Sequence, residues 1–126
     1  MKKYIVLVFA LIFGIKYGVE YIFSPKFQAY GDRTKAPWTC EVDNFIGHML
    51  MVVSHYEEAK TYFEYTIQRC PDTAQCEVAE YEVAESWAKM GHNREATDAY
   101  RAYAEKYKGT KRAKIADQAA DLLHVS

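Results

Sequence analysis

Three cysteines, Cys40, Cys70 and Cys76, have the clearest capacity for chemistry in this chain. Cys70 and Cys76 flank a short segment that contains Pro71, so their Cβ atoms can come close enough for a disulfide. An oxidising compartment would permit that bond. Two alternatives stay open. The cysteines can be buried thiols that pack as small apolar groups, or they can form another pairing, including an intermolecular one through Cys40.

The histidines and the hydroxyl groups form no catalytic pattern. His48 and His55 are seven residues apart, but neither a Cys nor a carboxylate completes a set of metal ligands around them. No Ser or Cys has a convincing base beside it, and the sequence has neither a phosphate-binding glycine loop nor a CxxC pair. We therefore predict that the chain is not an enzyme and holds no metal or cofactor.

The charge of the chain is unevenly distributed. The formal net charge is −1, which gives no uniform positive field and therefore excludes nucleic acid as an expected partner. Residues 1–30 carry four Lys and one Glu, so this basic segment is balanced by a net charge of −4 in the remainder. A basic, apolar leader precedes an acidic body.

Residues 1–23 have the form of a membrane anchor. After Lys2 and Lys3, the twenty residues from Tyr4 to Phe23 are enough to cross a hydrocarbon core of about 30 Å as a helix. No small-x-small cleavage site follows. We predict an uncleaved single-pass membrane anchor, with the body outside the cytoplasm because the positive flank stays inside. A cleaved signal, which would leave a secreted or periplasmic protein, and a buried soluble helix are the alternatives.

Two charges, Lys16 and Glu20, interrupt the apolar segment. Each would cost roughly 3 kcal/mol near the centre of the bilayer. They are four residues apart and share a helix face, so we expect an ion pair at the membrane interface. Contact between this pair and a transmembrane helix of a partner is the alternative.

The body contains an internal repeat with a period of 37 residues. At this offset small residues match small residues and aromatic residues match aromatic residues. The matching pairs are Gly47 with Ala84, Ala59 with Ala96, Phe63 with Tyr100, Leu50 with Trp87, Ser54 with Gly91 and His55 with His92. We therefore expect two similar helical units in succession.

This pattern resembles the tetratricopeptide repeat (TPR), a helix–turn–helix unit of about 34 residues, with three residues inserted around Ala74 to Cys76. Ser54, Thr66, Tyr103 and Lys108 depart from the family pattern. The joints Cys70–Thr73 and Tyr107–Thr110 are similar to those of bacterial extracytoplasmic TPR proteins, which assist outer-membrane assembly or the Tol–Pal envelope system.

The predicted fold class is all-α. The expected organisation is an anchor helix over 1–23, an irregular linker over 24–38, and a TPR-like domain over 39–126 with repeats at about 40–73 and 77–110 and a capping helix at about 111–124. Two repeats and a cap fall below the roughly three repeats that a stable stack needs. A partner protein, self-association or packing by the linker would supply the missing cover.

The resemblance implies a groove for a partner, built from the first helix of each repeat. Its ligand-facing positions fall on Asn44, His48, Met51, Tyr81, Glu85, Lys89 and Gln118. The carboxylates Glu77, Glu80, Glu82 and Glu85 are expected to form a solvated helix surface.

We therefore expect a protein–protein interaction adaptor or scaffold on the extracytoplasmic side of a bacterial membrane. Its partner would be an envelope protein or a subunit of a membrane complex, and the membrane itself would be contacted through the N-terminal helix. The alternative is an accessory structural subunit of a larger integral-membrane complex.

Overall fold

The structure, a computed structural model, describes residues 2–22, 25–34 and 37–125, except for the side chains of 17–22, 31, 33, 34 and 125. Seven α-helices contain most of these residues. No strand occurs in this part of the chain, which confirms the all-α prediction. The helices are α1 (Lys2–Ile22), α2 (Pro25–Thr34), α3 (Pro37–Val52), α4 (Tyr56–Arg69), α5 (Ala74–Lys89), α6 (Asn93–Lys106) and α7 (Lys111–Val125).

The chain divides into two compact units, residues 1–36 and residues 37–126. Among the described residues, no helix combines the length and the apolar character that crossing a membrane requires. The predicted span from Tyr4 to Phe23 includes residues whose side chains lie outside the described part. The predicted ion pair between Lys16 and Glu20 also lies outside it, because the side chain of Glu20 is not described.

The irregular linker predicted for residues 24–38 is wrong, because this segment contains α2 and the start of α3. Pro25 and Pro37 stand at the first positions of these two helices. There the missing N–H of proline costs no hydrogen bond, and its fixed φ suits the helix. The prolines therefore begin helices instead of breaking them.

Helices α3 to α7 repeat with a period of 37 residues. The first helices of the units begin at residues 37, 74 and 111, and the second helices run from 56 to 69 and from 93 to 106. Thus α3 with α4 and α5 with α6 form two hairpins, and α7 takes the place of a third first helix. Each hairpin begins three residues before the predicted start of its repeat.

Close helix contact inside each hairpin follows from the small residues that match at this period. A Cβ on Gly47 would lie 2.7 Å from the ring of Phe63, so only glycine lets α4 approach α3 this closely. Ala84 and Tyr100 hold the equivalent positions of the second hairpin and belong to one buried cluster. Each hairpin therefore fits an aromatic ring against a small residue.

A cross-helix ion pair also recurs at equivalent positions. Arg69 pairs with the fully buried Asp43 at 2.8 Å, and Lys106 pairs with Glu80 at 2.7 Å. In both pairs the cation lies at the end of the second helix and the carboxylate on the first helix of the same hairpin. Because a buried charge must be paired, the Asp43–Arg69 contact fixes how the first hairpin closes.

The turns match as well. Ser54 and Gly91 both have positive φ, of 65° and 82°, and they lie 37 residues apart. Asp72 and Gly109 form a second such pair, with φ of 61° and 96°. The left-handed region strains residues that carry a Cβ, so the glycines are the relaxed members of the two pairs.

A disulfide joins Cys40 to Cys70, with 6.6 Å between their Cα atoms, and Cys76 is a buried free thiol. The predicted Cys70–Cys76 bridge is therefore wrong. The antiparallel hairpin brings the end of α4 beside the start of α3, which puts Cys70 opposite Cys40. Cys76 lies one turn inside α5, where its amide donates to the capping Thr73.

Loss of the disulfide will reduce stability. The Cys40→Ala/Cys70→Ala variant should unfold with a free energy lower by roughly 3–4 kcal/mol, because the bond closes a loop of about 30 residues in the unfolded chain. The measurement is urea unfolding followed by circular dichroism, with Cys76→Ala as the control for an uncrosslinked cysteine. A non-reduced peptide map that joins Cys70 to Cys76 would contradict the assignment.

Opposite substitutions at the matched turn positions should have opposite effects. Ser54→Gly relieves the backbone strain and should stabilise the protein by about 0.5–1 kcal/mol, although the exposed hydrogen bond from Tyr56 is lost. Gly91→Ala should cost about 1 kcal/mol through the backbone alone, because no atom lies within 4 Å of the added Cβ. The same unfolding measurement checks both. Equal signs for the two variants would refute the proposed equivalence of the turns.

Candidate functional site

Helices α3 and α5 run side by side in the same direction, joined by side-chain contacts. Near their starts, Nδ2 of Asn44 donates to the carbonyl of Gln75 (3.0 Å) and Nε2 of Gln75 donates to Oε1 of Glu41 (3.2 Å). Further along, Nδ1 of His48 approaches Oε1 of Glu82 (4.0 Å), and the hydroxyl of Ser86 donates to the sulfur of Met51 (3.3 Å). Since the residue numbers rise together along both helices, the helices are parallel, as consecutive copies of one unit should be.

Helix α7 continues this arrangement beside α5. The guanidinium of Arg112 lies 5.7 Å from the ring centroid of Tyr81, and its Nη1 lies 3.6 Å from Oε1 of Glu77. Tyr81 follows Asn44 by 37 residues, and Arg112 follows Gln75 by the same interval. The α5–α7 contact therefore uses the same positions as the α3–α5 contact.

Two carboxyl groups, Glu82 and Glu85, lie among these contacts. Burial, then the charge of Glu85 and a hydrogen bond between the two carboxyls, raise the pKa of Glu82, and nearby Arg112 lowers it; the net result is a pKa of about 7. The pair therefore holds a proton for part of the time at neutral pH. We call Glu82, Glu85, His48, Tyr81 and Arg112 the carboxyl-pair site.

Tyr81 forms the aromatic wall of the carboxyl-pair site. Its ring stands edge-on to the rings of Tyr100 and Tyr103, with centroids 5.8 and 5.5 Å apart. Burial is the largest cause that raises the pKa of Tyr81 and of Tyr100, and the nearby carboxylates raise both further. The two hydroxyls therefore stay neutral and can take part in hydrogen bonds at physiological pH.

The structure brings three of the predicted groove residues together and separates the others from them. His48, Tyr81 and Glu85 meet around Glu82 in the carboxyl-pair site. Met51 is half-buried in the α3–α5 contact, whereas Lys89 and Gln118 are exposed. The placement of Asn44 in an open groove is wrong, because this side chain is only 8% exposed and holds α3 to α5.

The expectation of a solvated acidic surface on α5 is also wrong. Glu77 accepts a hydrogen bond from the hydroxyl of Tyr103 at 2.9 Å, and Glu80 accepts one from Lys106 at 2.7 Å. These carboxylates join α5 to α6, and Glu77 also faces Arg112 of α7. Sequence reasoning missed Glu82 and Arg112 as site residues. The 37-residue period carried a signal for Arg112, which is equivalent to Gln75, but none for Glu82.

The free cysteine is not placed for nucleophilic chemistry. Burial raises the pKa of the Cys76 thiol and nearby Glu80 raises it further, so the reactive thiolate is disfavoured. Its sulfur lies 3.6 Å from Oε1 of Glu80. Within the described part of the chain, no three His, Cys, Asp or Glu side chains are grouped to hold a metal ion.

An apolar cleft of about 240 Å³ lies between α4, α5 and α6. Ile67, Val83 and Ala99 are among its lining residues, and Glu80 and Lys106 stand beside it. A second cleft shares Ile67 and Val83 and extends to Trp87. The sequence analysis did not point to these clefts, because their residues come from three different helices.

Comparison of this chain with models of protein families, with curated proteins and with solved structures finds no match. The TPR resemblance therefore stays a prediction that the residues themselves support.

The carboxyl-pair site should make stability depend on pH. Because the folded state holds the Glu82 proton more tightly than the unfolded state, stability should fall as pH rises from about 4.5 to above 7. Glu82→Gln removes this loss and should exceed the wild type at pH 8 by up to roughly 3 kcal/mol. The measurement is urea unfolding at several pH values between about 5 and 8, a range that includes the pKa of about 7.

The matched control is Glu105→Gln, which changes an exposed carboxylate on α6. This variant should keep the pH dependence of the wild type. A Glu82→Gln variant whose stability follows the wild-type curve would show that the buried carboxyl does not titrate in this range.

Proposed function

We propose that this chain is a membrane-anchored, TPR-like adaptor that binds another protein on the extracytoplasmic side of a bacterial membrane. One observation carries the proposal: α3, α5 and α7 lie side by side and bring polar and aromatic side chains together at matched positions. The carboxyl-pair site stands at the centre of these contacts. A surface built from consecutive first helices suits an extended segment or a helix of a partner.

The repeat geometry supports the TPR-like part of the proposal. Gly47 and Ala84 admit the rings of Phe63 and Tyr100, and Ala59 is fully buried at the centre of the first cluster. Small residues at close helix contacts and bulky residues between them are what a helix–turn–helix stack needs. The matched ion pairs and turns extend the similarity of the two units from the core to their ends.

The disulfide supports a location outside the cytoplasm. Cys40 and Cys70 are joined, and such bonds persist in the periplasm and other oxidising compartments, whereas cytosolic thiols are kept reduced. This agrees with the orientation expected from Lys2 and Lys3, which places the N-terminus in the cytoplasm.

The surface of α1 supports attachment to a membrane. Its apolar side chains between Tyr4 and Ile15 are each more than half exposed, and they lie on all sides of the helix. Covering each such side chain would gain roughly 1.5–3 kcal/mol. Lipid covers all sides of a helix at once, whereas a single partner helix covers one face.

The chemistry of the partner follows from the carboxyl-pair site. Glu77 and Glu80 form ion pairs with Arg112 and Lys106. Glu82 shares a hydrogen bond with Glu85 and lies near His48, and its pKa stays raised although Arg112 lowers it. A lysine or arginine side chain of the partner would neutralise the pair, and Tyr81 would add a cation–π contact. We therefore propose a basic partner segment.

A pull-down from solubilised membranes tests the proposal. The full chain should capture a partner that is identified by mass spectrometry, and Tyr81→Ala/Glu85→Ala should lose it. Glu64→Ala/Gln68→Ala, on α4, is the matched control and should retain the partner. Capture that is unchanged in the Tyr81→Ala/Glu85→Ala variant would exclude this surface as the binding site.

The same preparation tests the attachment. Membranes are washed with alkaline carbonate before they are solubilised, and the chain should stay in the pellet with Met1 retained. Release of the chain by the wash would exclude the anchor. A second outcome is that the solubilised chain and the Tyr81→Ala/Glu85→Ala variant both migrate only within one large complex. In that case the chain is an accessory subunit of that complex, and the adaptor proposal is wrong.

A further inference from the structure

Helix α3 has an exposed apolar face. Phe45, Met49 and Val52 are 65%, 51% and 77% exposed, and their spacing of four and three residues puts them on one side of the helix. Val53, the first residue after the helix, is 56% exposed. We call these four residues the α3 face. Such a cluster of exposed side chains is unusual on a soluble surface and indicates an interaction.

The 37-residue period indicates which kind of helix would pack on the α3 face. Phe45 and Met49 are equivalent to Glu82 and Ser86, which follow them by 37 residues and contact the first helix of the preceding hairpin through His48 and Met51. The α3 face is therefore the side on which a preceding first helix stacks.

Helix α7 carries the complementary side. Gln118 is equivalent to Asn44 and Tyr81, and Leu122 is equivalent to His48 and Glu85; these positions contact the first helix that follows. Gln118 is exposed and Leu122 is 75% exposed. We call Gln118 and Leu122 the α7 face.

At the positions equivalent to those where α3 and α5 contact their second helices, α7 carries polar residues. The residues at those positions are Lys114, Asp117, Asp121 and His124, and all are exposed. Helix α7 therefore does not present an apolar face for a second helix. Its exposed apolar residues Ile115 and Leu122 lie where another first helix would stack, since Ile115 is equivalent to Glu41, which contacts α5. This distribution selects a first helix as the occupant.

The charges at the two ends of the body match a second copy. Residues 37–72 contain six carboxylates and two cations, whereas residues 106–125 contain five cations and two carboxylates. Lys108, Lys111 and Lys114 are exposed near the start of α7, and Glu41 is exposed near the start of α3. In a parallel stack these two starts would lie beside each other, with opposite charge.

We propose that the chain self-associates head to tail, with the α7 face of one copy stacked on the α3 face of the next. One further step of the 37-residue period places Leu122 against Phe45 of the next copy. Such a contact is heterologous, so each copy keeps one free end and longer assemblies can form. This self-association does not depend on which partner the carboxyl-pair site binds.

The contact of single helices is smaller than the standard protein interface of about 800 Å² per partner. Association in solution should therefore be weak and depend on concentration. Attachment of every copy to one membrane would raise the effective concentration and favour the assembly.

Mixing of two variants tests the proposal with the full chain in detergent micelles. Phe45→Asp disables one face and Leu122→Asp disables the other, so each variant alone should be monomeric in sedimentation velocity. An equal mixture should regain dimers but no longer species, because it contains one intact face of each kind. Gln68→Asp, which adds the same charge on α4, should associate like the wild type.

A cross-linking experiment identifies the contact directly. In a Cys76→Ala background, a chain with Phe45→Cys and a chain with Leu122→Cys should form a disulfide-linked dimer when they are mixed and oxidised. Neither chain should cross-link alone. Both sites are exposed, so circular dichroism of the variants should match the wild type.

Three results would overturn the proposal. The first is a wild type that stays monomeric at every concentration. The second is association that survives Phe45→Asp and Leu122→Asp combined in one chain, which would assign it to α1. The third is loss of association in Phe45→Asp but not in Leu122→Asp, together with cross-linking of Phe45→Cys to itself, which would mean that two α3 faces pair symmetrically.

Discussion

The close contact between the first and second helix of each hairpin is the interaction on which the rest of this structure depends. In the first hairpin the ring of Phe63 fills the space that a Cβ on Gly47 would need. In the second hairpin Tyr100 and Ala84 occupy the same positions. Because both hairpins close in the same way, they stack by one repeated displacement, and α3, α5 and α7 come to lie side by side.

The stacking of first helices creates both the carboxyl-pair site and the exposed ends. Within the stack, α5 lies between α3 and α7, so Glu82 is buried beside His48 and Arg112, and its pKa is raised to about 7, mainly by burial. At the two ends of the stack the corresponding positions expose Phe45 and Leu122. One geometric rule thus accounts for the proposed partner surface and for the proposed self-association.

Much of the fold could be predicted from the sequence, because the repeat is visible in residue types alone. The matches of Gly47 with Ala84 and of Phe63 with Tyr100 gave a period that the helix starts follow. The linker was less predictable, because proline can either break a helix or begin one. Pro25 begins α2. Three of the five residues of the carboxyl-pair site were also within reach, since His48, Tyr81 and Glu85 come together, whereas Asn44 is buried.

The sequence by itself determined the all-α class, the 37-residue period and the positions of the tight turns, because these follow from local helix preferences and from a pattern that is repeated along the chain. Only the tertiary structure decided which side chains meet. The sequence permits a disulfide from Cys70 to either Cys40 or Cys76, and the closure of the hairpin selects Cys40. Likewise the burial of Glu82 depends on how α5 is rotated between its neighbours. Rotation and packing are set by contacts between helices distant in sequence, which no local pattern records.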